Sequence, residues 1–158
     1  AKRDLTNLPL NLKARGVEFQ ILYVGRGYTD GDVLVYVTAE KVLICGRMLF
    51  AQTIPWLRDS YINEWNATLE QILKLDAEKV VPGTGELATR DDLIAFKGYL
   101  TDLYSAVKNQ FDQGVPKDDI RWKVDLSAYQ NWADYESNLR YNIEDAYDQV
   151  EAARKGGG

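Results

Sequence analysis

The chain has 158 residues and a net charge of −5, with 46% hydrophobic and 27% charged residues. That balance describes one globular domain with a sizeable core, and the acidic surplus argues against a nucleic-acid partner or an anionic membrane surface. No apolar run approaches the roughly 20 residues of a membrane-spanning helix and no signal peptide is visible. Cys45 is the single cysteine, so no disulfide framework exists, and a cytoplasmic or recombinant soluble protein is expected. Histidine is absent altogether. Its absence removes the commonest metal ligand and the commonest general base together.

In the first sixteen residues, Leu8, Leu10 and Leu12 alternate with Pro9 and Asn11, a short strand signal weakened by the proline. Gly16 turns the chain into a strand over 17–25. Residues 32–38 and 42–45 give two more, joined by a turn at Ala39, Glu40 and Lys41. Val33 to Val37 and Val42 to Cys45 are apolar without alternation, the pattern of strands buried on both faces. The sheet is therefore expected to need two covers.

After Pro55 the apolar period becomes helical. Tyr61, Trp65, Leu69, Ile72 and Leu73 share one face of a helix beginning near Asp59 or Ser60. A brief strand over 79–81 ends at Pro82. Thr89 and Asp92 have capping-box spacing, with Asp in place of the usual Glu or Gln. The helix they open carries Leu93, Phe96, Leu100, Leu103, Val107 and Phe111 inward and stops by Gly114. A helical turn is expected around 118–122, then an aromatic connector, then a last helix over 136–154 with Leu139, Ile143, Ala146 and Val150 on one side. The domain is read as 1–155, with Gly156, Gly157 and Gly158 a tail outside the fold.

The chemistry is expected at three glycine-bearing loops, because rigid strands aim such loops and glycine lets them turn sharply. They lie within GRGYTDGDVLVYVTAEKVLICGRMLF, residues 25–50, and VPGTGE, residues 81–86; their tips are Tyr28, Arg47 and Thr84. These loops resemble the C-terminal half of a metallo-β-lactamase-fold hydrolase. There a Gly-His-Thr loop opens such a strand, a Gly-Asp closes the next, and a Pro-Gly-His-Gly loop follows. The later stretch DLSAYQNWADYESNLRYNIEDAYDQVE is similar to the C-terminal region of a subgroup of these hydrolases, so the resemblance covers about residues 17–154. It implies an α/β (α+β) fold class: half of an αββα sandwich, a mixed sheet with helices on one face.

The resemblance also implies that each ligand position is replaced. Tyr28 stands for the first histidine, Arg47 for the bridging aspartate and Thr84 for the last histidine. The family's His-x-His-x-Asp-His motif has no counterpart. Zinc in such sites takes imidazole and carboxylate, whereas these residues offer a phenol, a permanent cation and a neutral hydroxyl. No metal, no cofactor and no catalytic residue are expected, and the chain is read as not an enzyme. Replacement of every ligand beside intact glycines, with no histidine and a glycine tail, points to an engineered half-domain.

Two readings of the tips compete with that one. Tyr28, Arg47 and Thr84 could together hold a small anion or phosphate, or carboxylates could recruit a metal for hydrolysis across a dimer. The blander expectation is an emptied site in which Arg47 pairs with Asp30, Asp32 or Glu86. Cys45 is expected to be a buried, inert thiol, and Asp30 and Asp32 to be turn residues. The Asn66-Ala67-Thr68 glycosylation pattern is discounted because it falls mid-helix. Trp122, Tyr129, Trp132 and Tyr135 are expected to pack the last helix onto the body. Half a sandwich leaves one apolar sheet face open, so a homodimer through that face is the expected partner.

Overall fold

The computed structural model describes residues 8–156. Five strands form one mixed sheet in chain order. β1 (Leu10–Ala14) and β2 (Val17–Leu22) make a hairpin whose turn places Arg15 and Gly16 at φ of 49° and 86°. Two successive left-handed residues suit the right-handed twist of the flanking strands, and glycine adopts the second without strain. β3 (Leu34–Val37) lies antiparallel to β2, and β4 (Val42–Phe50) antiparallel to β3. β5 (Lys79–Thr84) is parallel to β4, an arrangement that needs a crossover; α1 (Ile62–Ile72) supplies it.

Strand alternation sorts the sheet residues into two faces. On the first, Leu34, Tyr36, Leu43, Cys45 and Val80 are buried beneath the helical layer. That layer consists of α1, α2 (Arg90–Asp112), the short α3 (Lys117–Ile120) and α4 (Tyr135–Gly156), with α2 packed against both α1 and α4. On the second face, Leu10, Ile21, Val35, Ile44 and Val81 pair in register as one row across all five strands. Leu12, Phe19, Val37 and Val42 form the next row. None of these nine residues is buried. The doubly apolar strands of the sequence therefore have one cover, the helices, among the described residues.

Several boundaries differ from the sequence expectation for identifiable reasons. β2 ends at Leu22, three residues before Gly25. β4 runs nine residues to Phe50 because irregular register around Gly46, at φ 52°, bends the strand without ending it. β5 passes through Pro82 to Thr84; as an edge strand it tolerates a residue with no N–H to donate. α1 begins at Ile62 because Ser60 folds back, its N–H and hydroxyl donating to the Leu57 carbonyl at 2.8 and 2.7 Å. Its buried face is Ile62, Trp65, Thr68, Leu69 and Ile72, which leaves Tyr61 before the helix and Leu73 after it. α4 continues through Gly156, so the helix includes the first residue assigned to the tail.

The start of α2 follows the spacing read from the sequence. The Thr89 N–H donates to the Asp92 carboxylate at 2.8 Å and the Thr89 hydroxyl donates to it at 3.0 Å. Partial burial opposes ionisation of Asp92, but these bonds and a contact from Gln52 outweigh it and hold the carboxyl below its ordinary range. A depressed folded value stabilises the protein above the ordinary Asp range, near pH 4, and the benefit is lost as pH falls through the lower folded value. The Asp92→Asn variant should therefore show a flatter loss of stability on acidification, measured by urea unfolding at stepped pH. Gly83 tests the β4–β5 contact, because a Cβ there would meet the Gly46 carbonyl oxygen at 2.6 Å. Gly83→Ala should cost about 1–3 kcal/mol in the same assay.

Candidate functional site

The three loop tips sit over an aromatic box. Trp65 of α1 is fully buried and donates its indole N–H to the Met48 carbonyl at 3.2 Å, which fastens the helix to β4. Phe96 of α2 lies 5.2 Å from Trp65 and 6.1 Å from Phe50, centroid to centroid. Tyr28 closes the box, its ring 5.6 Å from Phe50 and edge-on to Trp65 at 5.9 Å. Such edge-to-face pairs contribute beyond the area they bury.

The loop bearing Tyr28 is tied to α1. The Thr68 hydroxyl donates to the Arg26 carbonyl at 2.6 Å, and the Tyr61 N–H donates to the Gly27 carbonyl at 2.9 Å. Gly27 is buried where a Cβ would lie 2.5 Å from the Met48 sulfur and 3.0 Å from the Trp65 ring, so a larger residue fits only if the Met48 side chain shifts. The sequence marks this position only as one glycine among several.

Arg47 is exposed, and its guanidinium carbon stands 5.1 Å from the centroid of the Tyr28 ring. The expected pairing with Asp30, Asp32 or Glu86 does not occur; among the described residues Arg47 makes no ion pair. The physical reason lies in the competing partners. Asp32 accepts the Thr29 N–H at 2.5 Å within its own loop, and the Arg47 guanidinium rests on the Tyr28 ring face instead. Thr84 is exposed and pairs in register with Phe50, while its carbonyl accepts the Ala51 N–H at 3.0 Å. Tyr28 and Arg47 thus touch each other, and Thr84 reaches them through Phe50.

This set does not suit zinc. A guanidinium cannot ligate, a phenol deprotonates only near pH 10 in its ordinary state, and a threonine hydroxyl is a poor donor. No cluster of three or more metal-capable His, Cys, Asp or Glu side chains occurs among the described residues. A depression of about 330 Å³ at Gly85, lined by Glu86 and Asp92 and by none of the three tips, is unfavourable to anions.

The remaining candidates have structural settings. Cys45 is buried, and desolvation pushes its thiol up to about 12. Asn66 lies within α1, where its side-chain oxygen accepts the Thr101 hydroxyl at 3.2 Å. Tyr129 and Trp132 pack on Tyr99 of α2 at 5.2 and 5.7 Å. Burial pushes the Tyr129 phenol up, and the Asp102 carboxylate that accepts its hydroxyl at 2.7 Å pushes it further. Tyr135 is half-buried against the same core. Trp122 departs from the expected cluster: it is 75% exposed with Arg121 against its ring, because the turn after α3 points it outward.

Two polar residues of α4 escape a reading of the sequence. Gln149 accepts the Ile62 N–H at 3.0 Å and donates to the Ser60 carbonyl at 2.7 Å, so it caps α1 from another helix. Asn142 is buried and donates to the Pro55 carbonyl at 2.9 Å and the Tyr99 hydroxyl at 2.8 Å. A polar residue on an apolar helix face is the only signal that the sequence offers for it.

Comparison with known proteins bears on this geometry. The sequence profile of the Metallo-beta-lactamase superfamily matches residues 2–84, the stretch that holds the three loop tips. The chain belongs to the metallo-beta-lactamase superfamily. The Metallo-beta-lactamase type 2 of Bacillus cereus is 29% identical over 89 residues, 53% of this chain and 35% of that protein. The enzyme of the same name from Elizabethkingia meningoseptica is 32% identical over 60 residues, 36% of this chain and 24% of that protein. This superfamily member thus spans about a third of the length of the Bacillus cereus relative. A metallo-beta-lactamase family protein from Thermus thermophilus superposes on 94% of this chain with a TM-score of 0.66 and 16% identity, covering 48% of that structure. A metallo-beta-lactamase from Pontibacter korlensis superposes on 59% of it, at TM-score 0.56 and 20% identity, covering 46% of that structure. The mixed sheet with its helices on one face is a metallo-beta-lactamase half-fold.

The burial of Cys45 has a direct consequence. In the folded protein at pH 8 the thiol should react with an aromatic disulfide reagent at least ~100-fold more slowly than in denaturant, since only the thiolate attacks. A free-thiol rate in the native protein would place Cys45 outside the core.

Proposed function

We propose that this chain is a catalytically inert, metal-free domain of the metallo-beta-lactamase superfamily, of engineered origin, that serves as a self-associating structural scaffold. The observation that carries the reading is the Arg47 guanidinium resting on the Tyr28 ring, with Tyr28 packed into the aromatic box. In such a site a metal would have to displace a permanent cation from a surface that attracts it, and would find no imidazole to bind. The superfamily's fold elements remain while the groups that ligate are exchanged for groups that pack.

The exposed guanidinium, without an ion pair among the described residues, favours a second reading as a small-anion site. Arg47→Ala separates the two: the scaffold should unfold within about 1 kcal/mol of the parent, the range of an exposed cation–π contact, with no change in phosphate-ester binding. Loss of such binding in the variant would establish the anion site instead.

Protein purified after exposure to excess zinc should retain well below one zinc per chain and hydrolyse neither a chromogenic cephalosporin nor an aryl ester. Stoichiometric zinc with turnover would overturn the reading. The combined variant Tyr28→His, Arg47→Asp, Thr84→His should gain measurable zinc affinity by calorimetry, because it restores donors on loops already in position.

A further inference from the structure

A cavity of about 250 Å³ lies between α4 and the turn that follows α3, and none of the three loop tips lines it. That turn is held firmly. The Trp122 N–H donates to the Asp119 carbonyl at 3.0 Å, the Lys123 N–H donates to the Ile120 carbonyl at 2.9 Å, and the Ile120 side chain is fully buried. Lys117, at the start of α3, donates to the Asp148 carboxylate of α4 at 2.6 Å. The two sides of the cavity are thus tied to each other and to the core, so a ligand would meet a formed site.

Its lining has an apolar part and a charged part. Val124, Leu139 and Ile143 supply the first; Ile143 is buried and the other two pack on the core. Tyr135 and Trp122 add aromatic surface, and Trp122 stands 75% exposed. The charged part is two guanidiniums, Arg121 and Arg140, against one carboxylate, Glu136. The lining therefore carries a positive surplus on a chain whose net charge is −5. Arg140 approaches Glu144 only to 3.9 Å. Arg121 makes no ion pair among the described residues, and its Nε is buried without a hydrogen-bond partner. Its one close companion is the Trp122 ring, whose centroid lies 4.8 Å from the guanidinium carbon. A half-buried cation in that state attracts an acceptor more strongly than one in water, and its fork matches a carboxylate.

We propose that this cavity binds a small organic anion built from one apolar ring and a carboxylate, an aryl-alkanoic acid in chemical class. A volume of roughly 150 Å³ takes a benzene ring, so the space here admits a ring with a short acidic arm and is too small for a drug-sized molecule. The ring replaces water on Val124, Leu139 and Trp122, and the carboxylate pairs with Arg121. Other occupants satisfy only half of the lining. Inorganic phosphate would leave the apolar part wet, and an uncharged ring would leave the guanidinium without an acceptor. The site is independent of the scaffold reading, because Tyr28, Arg47 and Thr84 take no part in it.

The test is a titration of the isotopically labelled chain with 3-phenylpropionate, followed by amide proton–nitrogen spectra. Saturable shifts should centre on Arg121, Val124, Leu139 and Ile143, with a Kd on the order of 1 mM for a ligand of this size. 3-Phenylpropionamide keeps the ring without the charge, and acetate keeps the charge without the ring; each should bind at least ~10-fold more weakly. Arg121→Gln should weaken 3-phenylpropionate binding ~10-fold or more. Trp122→Ala, at a position too exposed to unsettle the fold, should weaken it ~3–10-fold. Both variants should keep the parent's far-ultraviolet dichroism, and the amide and acetate comparisons decide without any variant. Equal binding of the acid and its amide would overturn the inference. So would shifts centred on Tyr28 and Arg47, or shifts that stay linear through about 20 mM ligand.

Discussion

Trp65 sits where the helical layer meets the sheet. Its indole N–H is committed to the Met48 carbonyl, and its faces and edges meet Tyr28, Phe50 and Phe96. The contact joins α1, β4, α2 and the Tyr28 loop at one point. Deleting a buried tryptophan of this kind costs about 3–5 kcal/mol, a large part of the roughly 5–15 kcal/mol by which a domain is stable. The position of every loop tip follows from it: β4 aims Arg47 across the box, the Gly27 backbone closes against Met48 and Trp65, and β5 lies beside β4 only because Gly83 leaves room for the Gly46 carbonyl.

That arrangement orders the loops from within. Rigidity at the tips comes from the aromatic box and the hydrogen bonds of Thr68 and Tyr61, so an ion is not needed to order them. Tyr28 faces two ways, with its ring part of the core and its outer face receiving Arg47. At these loops the Tyr28 ring serves packing and Arg47 makes a surface cation–π contact.

Much of this is legible in the sequence. The capping box at Thr89 and Asp92, the apolar stripe of α2, the three strands of the central sheet and the order of the glycine loops all follow from local pattern and turn chemistry. What escapes is non-local. Nothing in the spacing around Gln149 says that it caps α1 from the far end of the chain, and nothing near Asn142 names the Pro55 carbonyl as its partner. For Arg47, charge alone nominates Asp30, Asp32 or Glu86, while the chain's path sets the guanidinium on the Tyr28 ring. Composition groups Trp122 with Tyr129 and Trp132, and one turn of backbone after α3 separates them. The one-sided cover of the sheet is readable as doubly apolar strands, but the polar ladder that marks the hairpin's solvent side needs the register.

The central claim is that Tyr28, Arg47 and Thr84 occupy a superfamily site without being able to ligate. The most direct measurement is a zinc titration followed by amide proton–nitrogen correlation spectra of the isotopically labelled chain. The amides of Gly27, Tyr28, Arg47 and Thr84 should keep their positions as zinc is raised to excess. Saturable, stoichiometric shifts confined to those loops would mean that the site still holds a metal, and would contradict the account.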